Sequence, residues 1–271
     1  MGTLKPAAPR PESRDGGRDY GNGEIMFRLN CVLEADGPVL IARLGGPLTL
    51  ADAATAWATL VTLLADQPDA LLIDLTGLDC DEPGALVVFG AVAQRASLWP
   101  GVPVILSVPD TELRQSLARQ GVDRIVAVCA DPHEALVLAY SAPAPRRIRE
   151  RMQPVVGAAR RGRDLATEAC LRWQYPHLIA PASVVASELV TNAVKHAGTP
   201  FELTVSHTPR YLHIAVRDDD PRPAVRQDDE VDLFASTGRG LRVVEQTALS
   251  WGSTPAQRGK VVWAALSATA R

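Results

Sequence analysis

The order of apolar segments changes partway along the chain, and that change limits what it can fold into. Up to about Tyr140, short apolar runs alternate with amphipathic stretches. The runs VLIARL (39–44), ALLIDL (70–75), VPVILSV (102–108) and RIVAVCA (124–130) are bounded by turn residues and read as strands. Between them, TLADAATAWATLVTLLADQ, GALVVFGAVAQRASLW, DTELRQSLARQG and DPHEALVLAY have helical spacing, several behind an Asp or Thr suited to cap a helix. This alternation predicts an α/β layer domain over residues 25–140. Beyond it, two helices come first (154–173 and 181–197), followed by strands at 201–208 and 211–218. An acidic loop, a helix opening at STGRGL and a final strand pair ending in KVVWAALSA complete the chain. Helices first and an antiparallel sheet after predict an α+β two-layer sandwich over 154–271. The Pro- and Arg-rich stretch at 141–153 reads as a linker, and residues 1–24, rich in Pro, Gly and charge, as a disordered tail.

Charge and cysteine usage narrow the function classes. The 271 residues carry a formal net charge of -3, which gives no electrostatic reason to expect nucleic acid or an anionic membrane surface as a partner. The four cysteines (Cys31, Cys80, Cys129 and Cys170) are widely spaced and form no C-x-x-C pair, so reduced thiols in a cytoplasmic protein are expected. The N-terminal stretch lacks the apolar core of a signal peptide, and no apolar run reaches the ~18 residues of a membrane span. Of 28 basic residues only Lys5, Lys195 and Lys260 are lysines.

The chemistry-bearing positions lie in the second half. In SELVTNAVKHAG, Glu188, Asn192 and Lys195 fall at i, i+4 and i+7 of a helix, with His196 beside them. Alone, such a stripe reads as a solvated face. Two later segments change its weight. VRDDDP puts Asp218 at the end of a strand, where a carboxylate can accept from an exocyclic amine. STGRGL puts Gly238 and Gly240 at a helix start, where backbone N–H groups can approach a phosphate.

These three stretches, in this order, resemble the ATP-binding domain of the gyrase/Hsp90/histidine-kinase/MutL superfamily. Within it they are most similar to the short-lid anti-sigma-factor serine kinases of bacteria. SELVTNAVKHAGT resembles the N-box, VRDDDP the G1 box and TGRGL the G2 box. The resemblance implies the Bergerat ATP-binding fold, with ATP and Mg²⁺ as cofactors. It implies that Asn192 carries the metal and that Glu188, as catalytic residue, polarises the attacking hydroxyl. Asp218 would read the adenine amino group. Lys195, Gly238, Arg239, Gly240 and Leu241 would complete the nucleotide site, with Arg242 as a further cation. The chain departs from the pattern where Asp220-Pro221 replaces a glycine and where Gly259-Lys260 stands in place of Gly-Thr. Acidic residues at 218–220 and 228–230 would repel a triphosphate.

The first half resembles a STAS domain, the fold of anti-sigma-factor antagonists, through LLIDLTGLDCDEPGAL. Where phosphorylatable members carry a Ser pair, this chain has Asp81-Glu82-Pro83-Gly84, which offers no hydroxyl. His133-Glu134 lacks a partner bundle and reads as a surface pair. The resemblances imply a cytoplasmic partner-switching regulator, with protein serine/threonine kinase activity left open. Its partners would be a STAS-type antagonist or a sigma factor, with a homodimer through the ATPase domain as a further possibility. The alternative is a catalytically degenerate scaffold in which both folds serve protein–protein contact alone.

Overall fold

The computed structural model describes residues 29–224 and 239–269. The first sheet holds β1 (Asn30–Asp36), β2 (Val39–Pro47), β3 (Ala70–Asp79), β4 (Val104–Ser107) and β5 (Ala127–Cys129) in that spatial order. β1 and β2 form an antiparallel hairpin; β2 to β5 run parallel. The helices α1 (Ala53–Leu63), α2 (Val87–Leu98) and α3 (Thr111–Arg119) make the connections that parallel strands need, and α4 (Pro132–Ser141) follows β5. Asp110 caps α3 by accepting from the Leu113 N–H at 2.6 Å, and Asp131 caps α4 through the His133 N–H at 2.8 Å. The expected strands and helices of this half are all present. β1 was not expected, because it is an exposed edge strand with no alternating pattern, and its Val32 is 58% exposed.

The second sheet has the order β6 (Arg146–Met152), β7 (Phe201–His207), β8 (Tyr211–Asp218), β10 (Lys260–Ser267) and β9 (Ser250–Pro255), antiparallel throughout. The helices α5 (Ala158–Arg172), α6 (Ile179–Asn192) and α7 (Arg239–Thr247) pack on one face. The sandwich is therefore as expected, with one correction at its border. Residues 146–152, read as part of a linker, form β6 and pair with β7 along its whole length. Their arginines line a half-exposed edge strand, and Met152 at its end is buried in the core. The connecting segment shrinks to the Pro-containing residues after α4.

The far face of the second sheet is not open. Along β10, Val262, Ala264 and Leu266 point to the helices, while Val261, Trp263 and Ala265 join the core of the N-terminal domain. β8 alternates in the same way: Leu212, Ile214 and Val216 face the helices, and Ala215 faces the N-terminal domain. At the centre, Trp263 stacks on Trp99, with centroids 5.6 Å apart and planes 9° from parallel. The guanidinium of Arg95 lies 4.1 Å from the Trp263 ring centre and donates to Thr254 Oγ1 at 2.7 Å. The Trp263 indole N–H donates to the same oxygen at 3.2 Å. Burial lowers the Arg95 pKa to about 10, and the ring face recovers part of what the cation loses in leaving water. Two ion pairs rim the contact, Arg147–Asp69 at 2.6 Å and Arg217–Asp66 at 3.0 Å. Trp263→Ala should therefore lower the unfolding free energy by about 3–5 kcal/mol, seen as a lower urea midpoint by circular dichroism.

His213 lies in the same interface, fully buried, and neither ring nitrogen makes a hydrogen bond of ordinary geometry among the described residues. Burial brings its pKa from 6.5 down to about 4, outweighing the support that the Leu98 carbonyl gives to a proton. Between those two values the unfolded chain binds the additional proton, so this contribution is full above about pH 6.5 and fades as pH falls toward 4. We expect a loss on the order of 3 kcal/mol across that window. His213→Leu should flatten the urea midpoint against pH.

Candidate functional site

The site starts with α6, which the sheet holds through Val185, Ala186, Leu189 and Val190, all fully buried. Four buried positions at helical spacing fix the rotation of the helix and leave Glu188 and Asn192 on its half-exposed side. By length and composition the segment Pro176–Ala197 could also cross a membrane, but here it is the core helix of the sandwich. After Asn192 the helix widens into a π turn, Ala193–Ala197. The simple i, i+4, i+7 register thus holds as far as Asn192 and not beyond, and Lys195 and His196 are exposed. Lys195, the third residue of the expected stripe, thus lies in the π turn rather than in α6.

α7 packs directly against this wall. A Cβ built on Gly240 would lie 2.7 Å from Glu188 Oε2, so the carboxylate rests against the first turn of α7, at a position only glycine leaves open. The helix N-terminus favours a negative charge there. Gly240 was expected to make room for a phosphate; in this fold the room it makes is taken by Glu188. Leu241 and Val244 anchor α7 in the core, so Leu241 serves packing. Arg239 opens the helix, while Gly238 and the acidic residues 228–230 lie outside the described residues.

Asp218 ends β8 on the helix-facing side, and its side chain is 1% exposed. Its Oδ1 accepts from Lys260 Nζ at 2.9 Å and from the Asp220 N–H at 3.0 Å. Lys260 Nζ donates also to the Asp220 carbonyl at 3.0 Å. Asp220 is gripped in turn by Arg222, whose guanidinium donates to both carboxylate oxygens, and these hydrogen bonds hold its carboxyl well below the usual range. Arg222 reaches on to the His196 carbonyl at 3.3 Å, tying the end of β8 to the end of α6. The repulsive cluster expected at 218–220 is thus largely compensated within the chain: two of its three carboxylates are paired with cations, and Asp219 is exposed.

Lys260 is the site residue whose role the sequence reading missed. A lysine opening the apolar run KVVWAAL on a strand facing the core needs a buried partner, and that was the available signal. Among the described residues no group of three or more His, Cys, Asp or Glu side chains could hold a metal ion. The oxygens of Asn192 and Glu188 are the hard donors on this wall, and they fit Mg²⁺, which keeps most of its ligands as water and phosphate oxygens. In the N-terminal domain, Glu82 Oε2 accepts from the Leu50 N–H at 2.6 Å, so this residue braces its loop.

Residues 156–266 match the family model described as histidine kinase-like ATPase domain. The C-terminal half contains a histidine kinase-like ATPase domain. No curated protein matches the chain. Among solved structures, an anti-sigma factor antagonist from Mycobacterium paratuberculosis aligns at 20% identity and a TM-score of 0.36, covering 42% of this chain and 96% of that one. The anti-sigma factor antagonist SpoIIAA in its unphosphorylated form aligns at 16% identity and 0.34, covering 41% and 96%.

The buried ion pair can be tested for its own worth. Lys260→Met and Asp218→Asn should each cost about 3–5 kcal/mol, because each strands one buried partner. The double variant should cost clearly less than the sum, and a thermodynamic cycle from urea unfolding would give the coupling.

Proposed function

We propose that the chain is a cytoplasmic partner-switching regulator of the anti-sigma type, whose ATPase domain binds a Mg-adenine nucleotide against α6 and α7. The carrying observation is the packing of Glu188 on the first turn of α7 at Gly240, with Asn192 one helical turn further on. A bound Mg²⁺ would neutralise phosphate charge as the γ-phosphoryl group moves. In this reading Asn192 supplies its protein oxygen, and Glu188 orients the attacking hydroxyl and takes its proton. Asp218 would be the acceptor on the adenine side, and the first turn of α7, from Arg239 and Gly240, would offer N–H groups to the phosphates. Lys195 stands at the exposed rim as a further cation.

The acceptor in this reading is a serine on a separate STAS-type protein. Two features support transfer between chains. The N-terminal domain's own loop offers Asp81 and Glu82 in place of a hydroxyl. That domain also occupies the face of the second sheet opposite α5, α6 and α7, so the sheet stands between it and Glu188. A sigma factor and a second copy of the chain are the other partners this architecture suits. The scaffold alternative draws support from Lys260, which already occupies the carboxylate meant for a base.

Calorimetry on the full chain should find Mg-dependent ATP binding that Asn192→Ala weakens at least about tenfold, a loss of ~1.4 kcal/mol or more. Glu188→Ala should keep the binding and lose phosphoryl transfer to a STAS protein. Binding unchanged by Asn192→Ala would remove the nucleotide assignment.

A further inference from the structure

We propose that Lys260 gates the base-recognition position: its ammonium sits where a purine amine would bind, so the chain holds nucleotide mainly by phosphate and metal and discriminates weakly between bases. The proposal rests on the nucleotide reading of Asp218 given above. Its observations are independent of that reading. Lys260 is the first residue of β10 and pairs in register with Asp218 on β8, with both side chains on the helix-facing side. At 4% and 1% exposure, both side chains are almost wholly buried. An ammonium has three protons to donate. Two go to Asp218 Oδ1 and the Asp220 carbonyl, and Asp220 Oδ2 lies 3.6 Å away for the third.

The backbone is built to hold this arrangement. Gly259 has φ +72, and a Cβ there would fall 1.7 Å from the Asp218 carbonyl oxygen. Only glycine lets the β9–β10 turn close so tightly on the end of β8, and that closeness brings Lys260 within reach of Asp218. On the other side, Arg222 fixes Asp220 and the His196 carbonyl, so the segment after Asp218 is tied down from two directions.

The energetic order follows from charge. A hydrogen bond between an ammonium and a carboxylate is roughly twice as strong as one from a neutral donor. An adenine amine is a neutral donor that finds Asp218 Oδ1 already taken twice and the carboxylate's charge balanced by the ammonium, so it must displace the lysine or settle for a weakened acceptor at Oδ2. Guanine, which presents a carbonyl at the same position, loses nothing comparable. The bound state therefore carries little base preference until the lysine is moved or replaced.

The test is calorimetric titration of the full chain with Mg-ATP and with Mg-GTP, for wild type and two variants. Lys260→Gln keeps an amide donor for Asp218 and preserves the fold, while Lys260→Met keeps the apolar stem and removes every donor. Wild type should bind the two nucleotides within about threefold of each other. Both variants should gain ATP affinity, the methionine one by at least about tenfold, with GTP affinity unchanged. Adding Asp218→Asn should cancel the gain. Thermal melts confirm that each variant is folded; if the methionine variant is not, the glutamine variant decides alone, with a gain of about threefold or more expected. Unchanged or weaker ATP binding in the variants, or a wild type that already prefers ATP strongly, overturns the gate while leaving the nucleotide site standing. Absence of binding to either nucleotide in every protein overturns both.

Discussion

The second sheet is buried on both faces, and the rest of the molecule depends on that. An antiparallel sheet in a two-layer sandwich ordinarily has one face available to water. Here the helices take one side and the N-terminal domain takes the other, with the Trp99–Trp263 stack and Arg95 at the centre. Neither half can be regarded as a unit with a free surface at this contact. Separating them would expose two indoles, a run of aliphatic side chains and an imidazole whose pKa burial has lowered.

Much of this was legible in the sequence, and the failures have physical causes. The switch from strand–helix alternation to helices followed by strands correctly separated two architectures, because each layer arrangement needs its own periodicity. The border was misplaced because RRIRERM has the composition of a solvated linker; β6 is an edge strand, where arginines are tolerated and only Met152 needs the core. Whether the two halves dock was left open although its signal was present. YLHIAV and KVVWAAL are continuous apolar runs, which mark a strand covered on both sides, whereas a half-solvated strand would alternate.

At the candidate site, the sequence predicts a shared helical face for Glu188 and Asn192, and both lie on the half-exposed side of α6. It did not announce the π turn, Ala193–Ala197, that holds Lys195. It treated the aspartates at 218–220 as a bare negative cluster, because the compensating cations come from a strand some forty residues on and from a turn two residues on. Contact across a sheet register is invisible to a reading that moves along the chain. The buried Lys260 was the clue, for a lysine at 3% exposure always implies a nearby anion or carbonyl.

Strands β8 and β10 carry two messages on alternate residues, one addressed to the helices and the other to the N-terminal domain. A strand written this way has no tolerance for a change of phase. Deleting one residue from β10 would turn Trp263 toward α6 and α7 and point Val262 and Ala264 at Trp99, and the same slip would carry the partner of Asp218 away from it. Deleting two would restore the phase at the cost of one rung. The length of these strands is therefore held in parity as well as in extent, and natural variation in them should come as substitution, or as insertions in pairs.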